Sequence, residues 1–378
     1  MQTGELLTET SGAQGPGPDA GDVERWCKEV RERAGAALDG FVRERCAEYV
    51  HGFPGADLAG DVLVGFASGG KFLRSTFAYL GWLCGAGGGD GGDSDAAVRA
   101  AASMELLHAF ALLHDDVMDR SPTRRGQAAA HVRLAQWYRG QDPAGDAAHF
   151  GESAAILLGD LCLVWAERML RECGLGADAL GRGWAVYDTL RGELAVGQFA
   201  DLVYDARQLP PLNAVLAMSR RKSGNYTVRR PLELGAALAG CGAEARAVLG
   251  RYGELVGEAF QLRDDLLGVF GQPAVTGKPN AGDLREHKAT SVVALAADLA
   301  TPAQRGELER LAARARPTEP ELARWRALIE ETGAIGGIEA MIGSHVSDAC
   351  AALAGAGLGQ FAEGALRELA VRATSRAW

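Results

Sequence analysis

Two clusters of aspartates interrupt helices that are otherwise apolar, and they lie far apart in the chain. The first is His114-Asp115-Asp116-Val117-Met118-Asp119, followed by Arg124-Arg125-Gly126. The second is Gln261-Leu262-Arg263-Asp264-Asp265, followed by Thr276-Gly277-Lys278 and then by Asp283 and Lys288. A carboxylate on an apolar helix is costly unless something cationic meets it. The economical reading is that both clusters face one cavity and hold divalent metals there, with a polyphosphate as the remaining ligand.

The spacing supports that reading. On a helix Asp115 and Asp119 are i and i+4 and share a face, and Asp116 flanks them. Three carboxylates on one patch repel each other until a cation neutralises them. Mg2+ suits the role, because it takes oxygen ligands and commonly combines one or two carboxylates with substrate phosphates. The plain alternative for a lone Asp-Asp-x-x-Asp is a solvated acidic face. A second Asp pair with Lys and Arg nearby weighs against it.

The whole chain bounds the answer. Its 378 residues carry a net charge of −10, which argues against nucleic-acid binding. An anionic substrate must be drawn in by local cations and metals. Seven scattered cysteines without a C-x-x-C pair read as reduced, buried thiols of a cytoplasmic protein. The N-terminus shows no export signal, and residues 1–21, rich in Gly, Pro and acids, read as a disordered tail. No stretch of 18 uncharged apolar residues stands out, so no membrane span is expected.

Almost all of the rest reads as helix. Residues 96–120 run without Gly or Pro, with Leu106, Phe110, Leu113 and Val117 at helical spacing. Residues 251–270 repeat the picture with Leu255, Ala259, Leu262, Leu266 and Phe270. No strand-like alternation competes. Gly-rich loops are expected over 85–95, 140–151 and 271–282, the last being a candidate lid because it leads to Asp283. The expectation is one all-α domain over 22–378, with many antiparallel helices around a deep central cavity.

Other signals fill in the site. Gly69-Gly70-Lys71-Phe72-Leu73-Arg74 places Lys71 and Arg74 at i and i+3 of a helix start, and two cations so placed suit a diphosphate. Arg124-Arg125 follows a turn at Ser121-Pro122 and reads as a phosphate clamp. His108 lies two helical turns before Asp115. Lys222-Ser223 and Gly197-Gln198-x-x-Asp201 place polar groups on apolar helices, where they must find partners.

The ordered set resembles one family, the trans-isoprenyl diphosphate synthases or polyprenyl synthetases. It comprises Gly-Gly-Lys-x-x-Arg (69–74), His-Asp-Asp-x-x-Asp (114–119), Arg-Arg-Gly (124–126), Gly-Asp (159–160), Gly-Gln-x-x-Asp (197–201), Lys-Ser (222–223), Gln-x-x-Asp-Asp (261–265), Thr-Gly-Lys (276–278) and Asp-x-x-x-x-Lys (283–288). The resemblance covers roughly residues 25–375 and is nearest to bacterial geranylgeranyl diphosphate synthases. It implies the isoprenoid-synthase helical bundle, a homodimer, and condensation of isopentenyl diphosphate with an allylic diphosphate. It implies Mg2+, three ions per active site with Mn2+ as a substitute, and peripheral membrane contact for product release.

The roles it implies follow residue by residue. Asp115, Asp116 and Asp119 bind Mg2+ on one wall, and Asp264 and Asp265 bind it on the other. Arg124, Lys222 and Lys278 meet the allylic diphosphate, and Lys288 is a further substrate-binding residue. Lys71, Arg74, His108 and Arg125 hold isopentenyl diphosphate, while Ser223 and Gln261 stand beside the allylic cation. Phe110, about 7.5 Å up the helix from Asp115 at 1.5 Å per residue, is the floor that stops chain growth. Paired with the small Ala111 it resembles enzymes that stop at C20.

Several departures stand out. Gly268 replaces a third acid, Phe72 and Ser75 replace Arg and Pro, Ser223 replaces Thr, Gln272 replaces Asp, and one residue is inserted between Lys278 and Asp283. The alternatives are a farnesyl diphosphate synthase, a class I terpene cyclase and an inactive regulatory subunit. A cyclase needs no Lys71/Arg74 site, and a regulatory subunit usually loses the Asp-rich motifs kept here.

Overall fold

A computed structural model describes residues 17–85, 94–204, 208–271 and 281–375. The periodic segments are helices: α1 Ala20–Tyr49, α2 Ala56–Ser68, α3 Leu73–Gly85, α4 Asp95–Met118, α5 Ala130–Gln141, α6 Ala147–Arg171, α7 Ala177–Val203 and α8 Leu212–Ser219. A π-helix, Arg220–Arg229, runs straight on into α9 Arg230–Ala239. Then follow α10 Ala243–Phe270, α11 Gly282–Arg285, α12 Ser291–Leu299, α13 Pro302–Ala312, α14 Glu319–Glu331, α15 Ala334–Ala352 and α16 Gln360–Ser375. The expected segment 96–120 is α4 to within two residues at either end, and 251–270 is the C-terminal part of the longer α10.

Three boundaries differ from the sequence reading. α1 starts at Ala20, inside the expected tail, because Asp19 accepts the Asp22 N–H and Asp22 returns the bond as a capping box. The second loop is short, residues 142–146, since Asp146 caps α6 and draws Ala147 into the helix. A two-stranded hairpin, β1 Thr123–Arg124 with β2 Gln127–Ala128, stands where no strand was expected. Most of the loops at 85–95 and 271–282 lie outside the described residues, as do Gln272 and Lys278.

Apolar packing falls into two large bodies that meet at the site. One gathers α1 to α7 around the buried face of α4. The other gathers α10 to α15 around the fully buried Trp325. A third cluster of α3, α9, α10 and α16 ties them together. The first acidic cluster belongs to the first body and the second to the other, so the seam between them sets the site's geometry.

Among the described residues α4 and α6 are long and apolar enough to cross a membrane by length and composition alone. In α4 that apolarity is core packing, since 72% of its apolar window is buried. In α6 only 33% is buried, and with α7 it presents Leu157, Val164, Phe199 and Leu202, each more than half exposed, to the outside.

Candidate active site

α4 delivers the first acidic cluster. The Asp119 N–H closes on Asp115 O at 2.8 Å, so helical geometry persists through this C-terminal cap and both carboxylates share a face. Lys288 Nζ reaches across from the second body to Asp119 Oδ2 at 2.9 Å. Asp116 is fully buried, and its Oδ1 accepts two bonds from Arg124, the Nε one at 2.9 Å. Arg124 is brought there by the hairpin, whose two-residue loop is Arg125 and Gly126, both at positive φ as a type I′ turn requires.

α10 delivers the second cluster. Asp265 is buried and accepts bonds from Ser291 N at 2.8 Å, Ser291 Oγ at 2.6 Å and Gln261 Nε2 at 2.8 Å. Asp264, half-buried, lies beside it. Between the two walls runs the π-helix. It carries Lys222, ion-paired with Asp201 of α7, and the half-buried Ser223.

Glycines set the position of that π-helix. A Cβ at Gly197 would stand 2.4 Å from Lys222 N, and one at Gly257 would stand 2.5 Å from Gly224 O. Backbone therefore touches backbone on both sides. Charge secures the ends: Arg220 bonds Glu258 at 2.5 Å, Arg229 bonds Glu233 at 2.9 Å, and Arg230 bonds Glu193 at 2.9 Å. Gly197→Ala should cost about 1–3 kcal/mol by overpacking and lower activity. Gly192→Ala on the same helix has nothing within 4 Å of its Cβ and should be neutral or stabilising. Urea unfolding checks both, and equal midpoints would refute the close-approach account.

The residues assigned to the second diphosphate also converge. The Arg74 guanidinium stacks on the Tyr226 ring at 4.2 Å and donates to Thr227 Oγ1 at 3.0 Å. His108 Nδ1 lies 3.2 Å from the Tyr226 hydroxyl. The Arg125 guanidinium covers the Gly69–Gly70 turn, where a Cβ at Gly69 would come within 2.2 Å of it. Lys71 is exposed and precedes α3 rather than sharing a helix face with Arg74, because Phe72 adopts φ 54 and breaks the helical path. Ser75, where a proline was noted as usual, donates through both N and Oγ to the buried Glu105.

The described residues include six non-glycine positions at positive φ. Five lie in the segments that carry candidate site residues: Phe72, Arg120, Arg125, Ala281 and His287. Such strain persists only where the surroundings over-determine it, as at functional sites. Sequence reasoning missed Tyr226, the π-helix and the Asp201–Lys222 pair. The one available signal was the polar, Gly-bearing run 222–227 inside an otherwise apolar helix.

Burial governs the titrations. It pushes His108 well below its ordinary value, aided by Arg74, Arg125 and Arg124, so the ring is neutral. It pushes Asp115 up to about 6 against the pull of Lys222, with Asp119 adding repulsion. It pushes Asp265 up to about 7 against the Ser291 and Gln261 bonds. These two carboxyls hold protons in the folded state that the unfolded chain, titrating near 4, has released. Their contribution to metal-free stability therefore falls as pH rises from about 4 through 6–7.

The donor set fits a divalent ion. It is all oxygen, and Asp116 Oδ2 is buried with no hydrogen-bond partner among the described residues. Among the described residues no three carboxylate, imidazole or thiol groups converge into an ion cage; Mg2+ commonly completes its shell with substrate phosphates. Ion binding needs the carboxylates deprotonated. Stabilisation by Mg2+ plus inorganic diphosphate should therefore grow between pH 5.5 and 7.5. Melting temperatures with and without both ions test this, and equal increments at the two pH values would contradict it.

Comparison with known proteins shows the family. The polyprenyl synthetase family profile matches residues 61–329. A geranylfarnesyl diphosphate synthase of Aeropyrum pernix is 34% identical over 242 residues, 63% of this chain and 70% of that protein. A (2E,6E)-farnesyl diphosphate synthase of Mycobacterium tuberculosis is 34% identical over 221 residues, 58% of this chain and 55% of that protein. The crystal structure of a Corynebacterium glutamicum geranylgeranyl pyrophosphate synthase, complexed with isoprenyl diphosphate and magnesium, superposes with a TM-score of 0.84 at 35% identity, covering 94% of this chain and 99% of that one. The chain belongs to the polyprenyl synthetase family.

Proposed function

We propose that this chain is a Mg2+-dependent trans-prenyltransferase that condenses isopentenyl diphosphate with an allylic diphosphate to geranylgeranyl diphosphate. One observation carries the reading: two acidic walls joined through Lys288 and Asp119 stand beside a separate cationic group of Arg74 and Arg125 with a neutral His108. That is a site for two diphosphates of which only one needs metal. Asp115, Asp119 and Asp264 would hold the divalent ions, which would supply positive charge to the leaving diphosphate. Asp116 aims Arg124, and Asp201 aims Lys222, at the same group. Ser223 and Gln261 turn oxygen dipoles toward the allylic carbon as it becomes cationic, in a site whose helices exclude water.

The exposed apolar side chains of α6 and α7 support a homodimer, because neighbouring exposed apolar groups mark an association surface. Purified protein with Mg2+, isopentenyl diphosphate and each allylic primer in turn tests the function, with products read by chromatography. Absence of any prenyl diphosphate would overturn it, and a cyclised hydrocarbon formed without isopentenyl diphosphate would convert it to a cyclase.

The two diphosphate sites separate by kinetics. Arg74→Ala and Lys71→Ala should each raise the KM for isopentenyl diphosphate by about tenfold or more, the worth of one charge-assisted contact. The allylic KM should change less. A rise confined to the allylic KM would invert the assignment.

A further inference from the structure

The short α11 ends in a tight helix-stop turn. Glu286 follows its last residue, and His287 then adopts φ 55, in the left-handed region. The His287 N–H closes on Leu284 O at 3.3 Å, and the Lys288 N–H closes on Asp283 O at 2.9 Å. This is the Schellman pattern, whose left-handed position is usually glycine because a Cβ there is strained. The chain places a histidine at that position instead.

The imidazole ties this turn to the second apolar body. His287 Nε2 lies 2.7 Å from Arg314 O, so it carries the hydrogen and donates, and the ring centroid lies 6.4 Å from that of the fully buried Trp325. The acceptor is itself fixed, in the turn between α13 and α14. The Arg314 N–H donates to Leu311 O at 3.2 Å, its guanidinium pairs with Glu321 at 3.0 Å, and Glu321 closes the capping box of α14 with Thr318. The Arg285–Glu319 ion pair nearby is largely solvent-exposed, where such pairs contribute little. Lys288 comes next in the chain. Its ammonium stands 2.9 Å from Asp119 and 3.1 Å from Glu286. A lysine stem is long and flexible, so the anchoring of its backbone decides which carboxylate or phosphate the charge serves.

We propose that His287 is a positioning residue for Lys288, and that its bond to Arg314 O holds this ammonium within reach of Asp119 and of a diphosphate. The inference rests on the functional reading above, in which Lys288 serves a diphosphate. Glycine at 287 would make the turn without strain but would leave it untied. The α13–α14 turn, which carries none of the candidate site residues, thereby sets the place of a charge at the site. If His287 served only the stability of the turn, its loss would act on diphosphate binding equally with and without the Lys288 side chain.

The experiment is a double-mutant cycle on the purified full chain, read by calorimetric titration with inorganic diphosphate in the presence of MgCl2. His287→Ala should weaken diphosphate binding by about fivefold or more, a coupling of the size seen between residues of one network. In a Lys288→Ala background the same substitution should change the Kd by less than about twofold, since the group it positions is gone. His287→Gln, whose amide nitrogen can donate in place of Nε2, should stay within about twofold of the native Kd. Native affinity in His287→Ala, equal losses in the two backgrounds, or a His287→Gln no better than His287→Ala overturns the proposal. If His287→Ala fails to fold by circular dichroism, His287→Gly, unstrained at this turn, takes its place in the cycle. The predicted coupling in a native protein that forms no prenyl diphosphate overturns the functional reading alone. Prenyl product with equal losses in both backgrounds overturns this inference alone, and a native protein that binds no diphosphate overturns both.

Discussion

Asp115→Ala lowers turnover at least ~10³-fold, the scale on which preorganised charge at a leaving group contributes, and leaves the helical circular dichroism intact. The carboxylate shares its face with Asp119, and burial has already pushed it up to about 6. At neutral pH the metal-free protein thus carries this charge at a cost, so the substitution relieves strain while abolishing function. Three measurements check the claim together: steady-state turnover with Mg2+, the Mg2+-dependent rise in melting temperature, and the metal-free melting temperature. Turnover near the native value, or full native activity in EDTA, would sink the metal-bridged reading. A collapse of the metal-free fold would show that Asp115 is structural.

Phe110→Ala should shift the main product from the proposed C20 to C25 or longer. Phe110 sits one turn before His114, and the two rings lie 4.7 Å apart. His114 is itself fixed. Its Nε2 lies 3.0 Å from Ile156 O, and a Cβ at Gly159 would come within 2.2 Å of its ring. The phenyl ring is therefore backed by α6 and cannot swing aside to admit another isoprene unit. Removing it opens a void whose cost stays below the roughly 3–5 kcal/mol of a fully buried Phe→Ala, because Phe110 is only half-buried. Chromatography of the reaction products decides. A folded, active variant that still stops at the native length would remove Phe110 from the floor.

Much of this site was legible in the residues, for reasons that differ from part to part. The helices around 96–120 and 251–270 were visible because their apolar spacing is local. The acidic clusters were visible because burial makes an unpaired carboxylate improbable. The π-helix was not, since Gly197, Gly224 and Gly257 dictate its backbone by contact with other helices. The helix start at Lys71 was misplaced by a left-handed Phe72 that no propensity anticipates. Gly268 read as a missing acid, and the Asp283 carboxylate that fills the space beside it is visible only in three dimensions.

The ion pairs across the site turn ligand entry into a partner exchange. Asp119 holds Lys288, Asp116 holds Arg124, and Asp201 holds Lys222. With Asp119 on a metal ion Lys288 would be free for a phosphate, and with Lys288 on a phosphate Asp119 would be free for a metal. Each ligand thereby removes the competitor of the other, and thermodynamic linkage makes the benefit equal in both directions. Cation and diphosphate should arrive with positive cooperativity, each alone binding weakly to a wall whose charges are already satisfied, so that the resting protein is guarded by its own counter-ions.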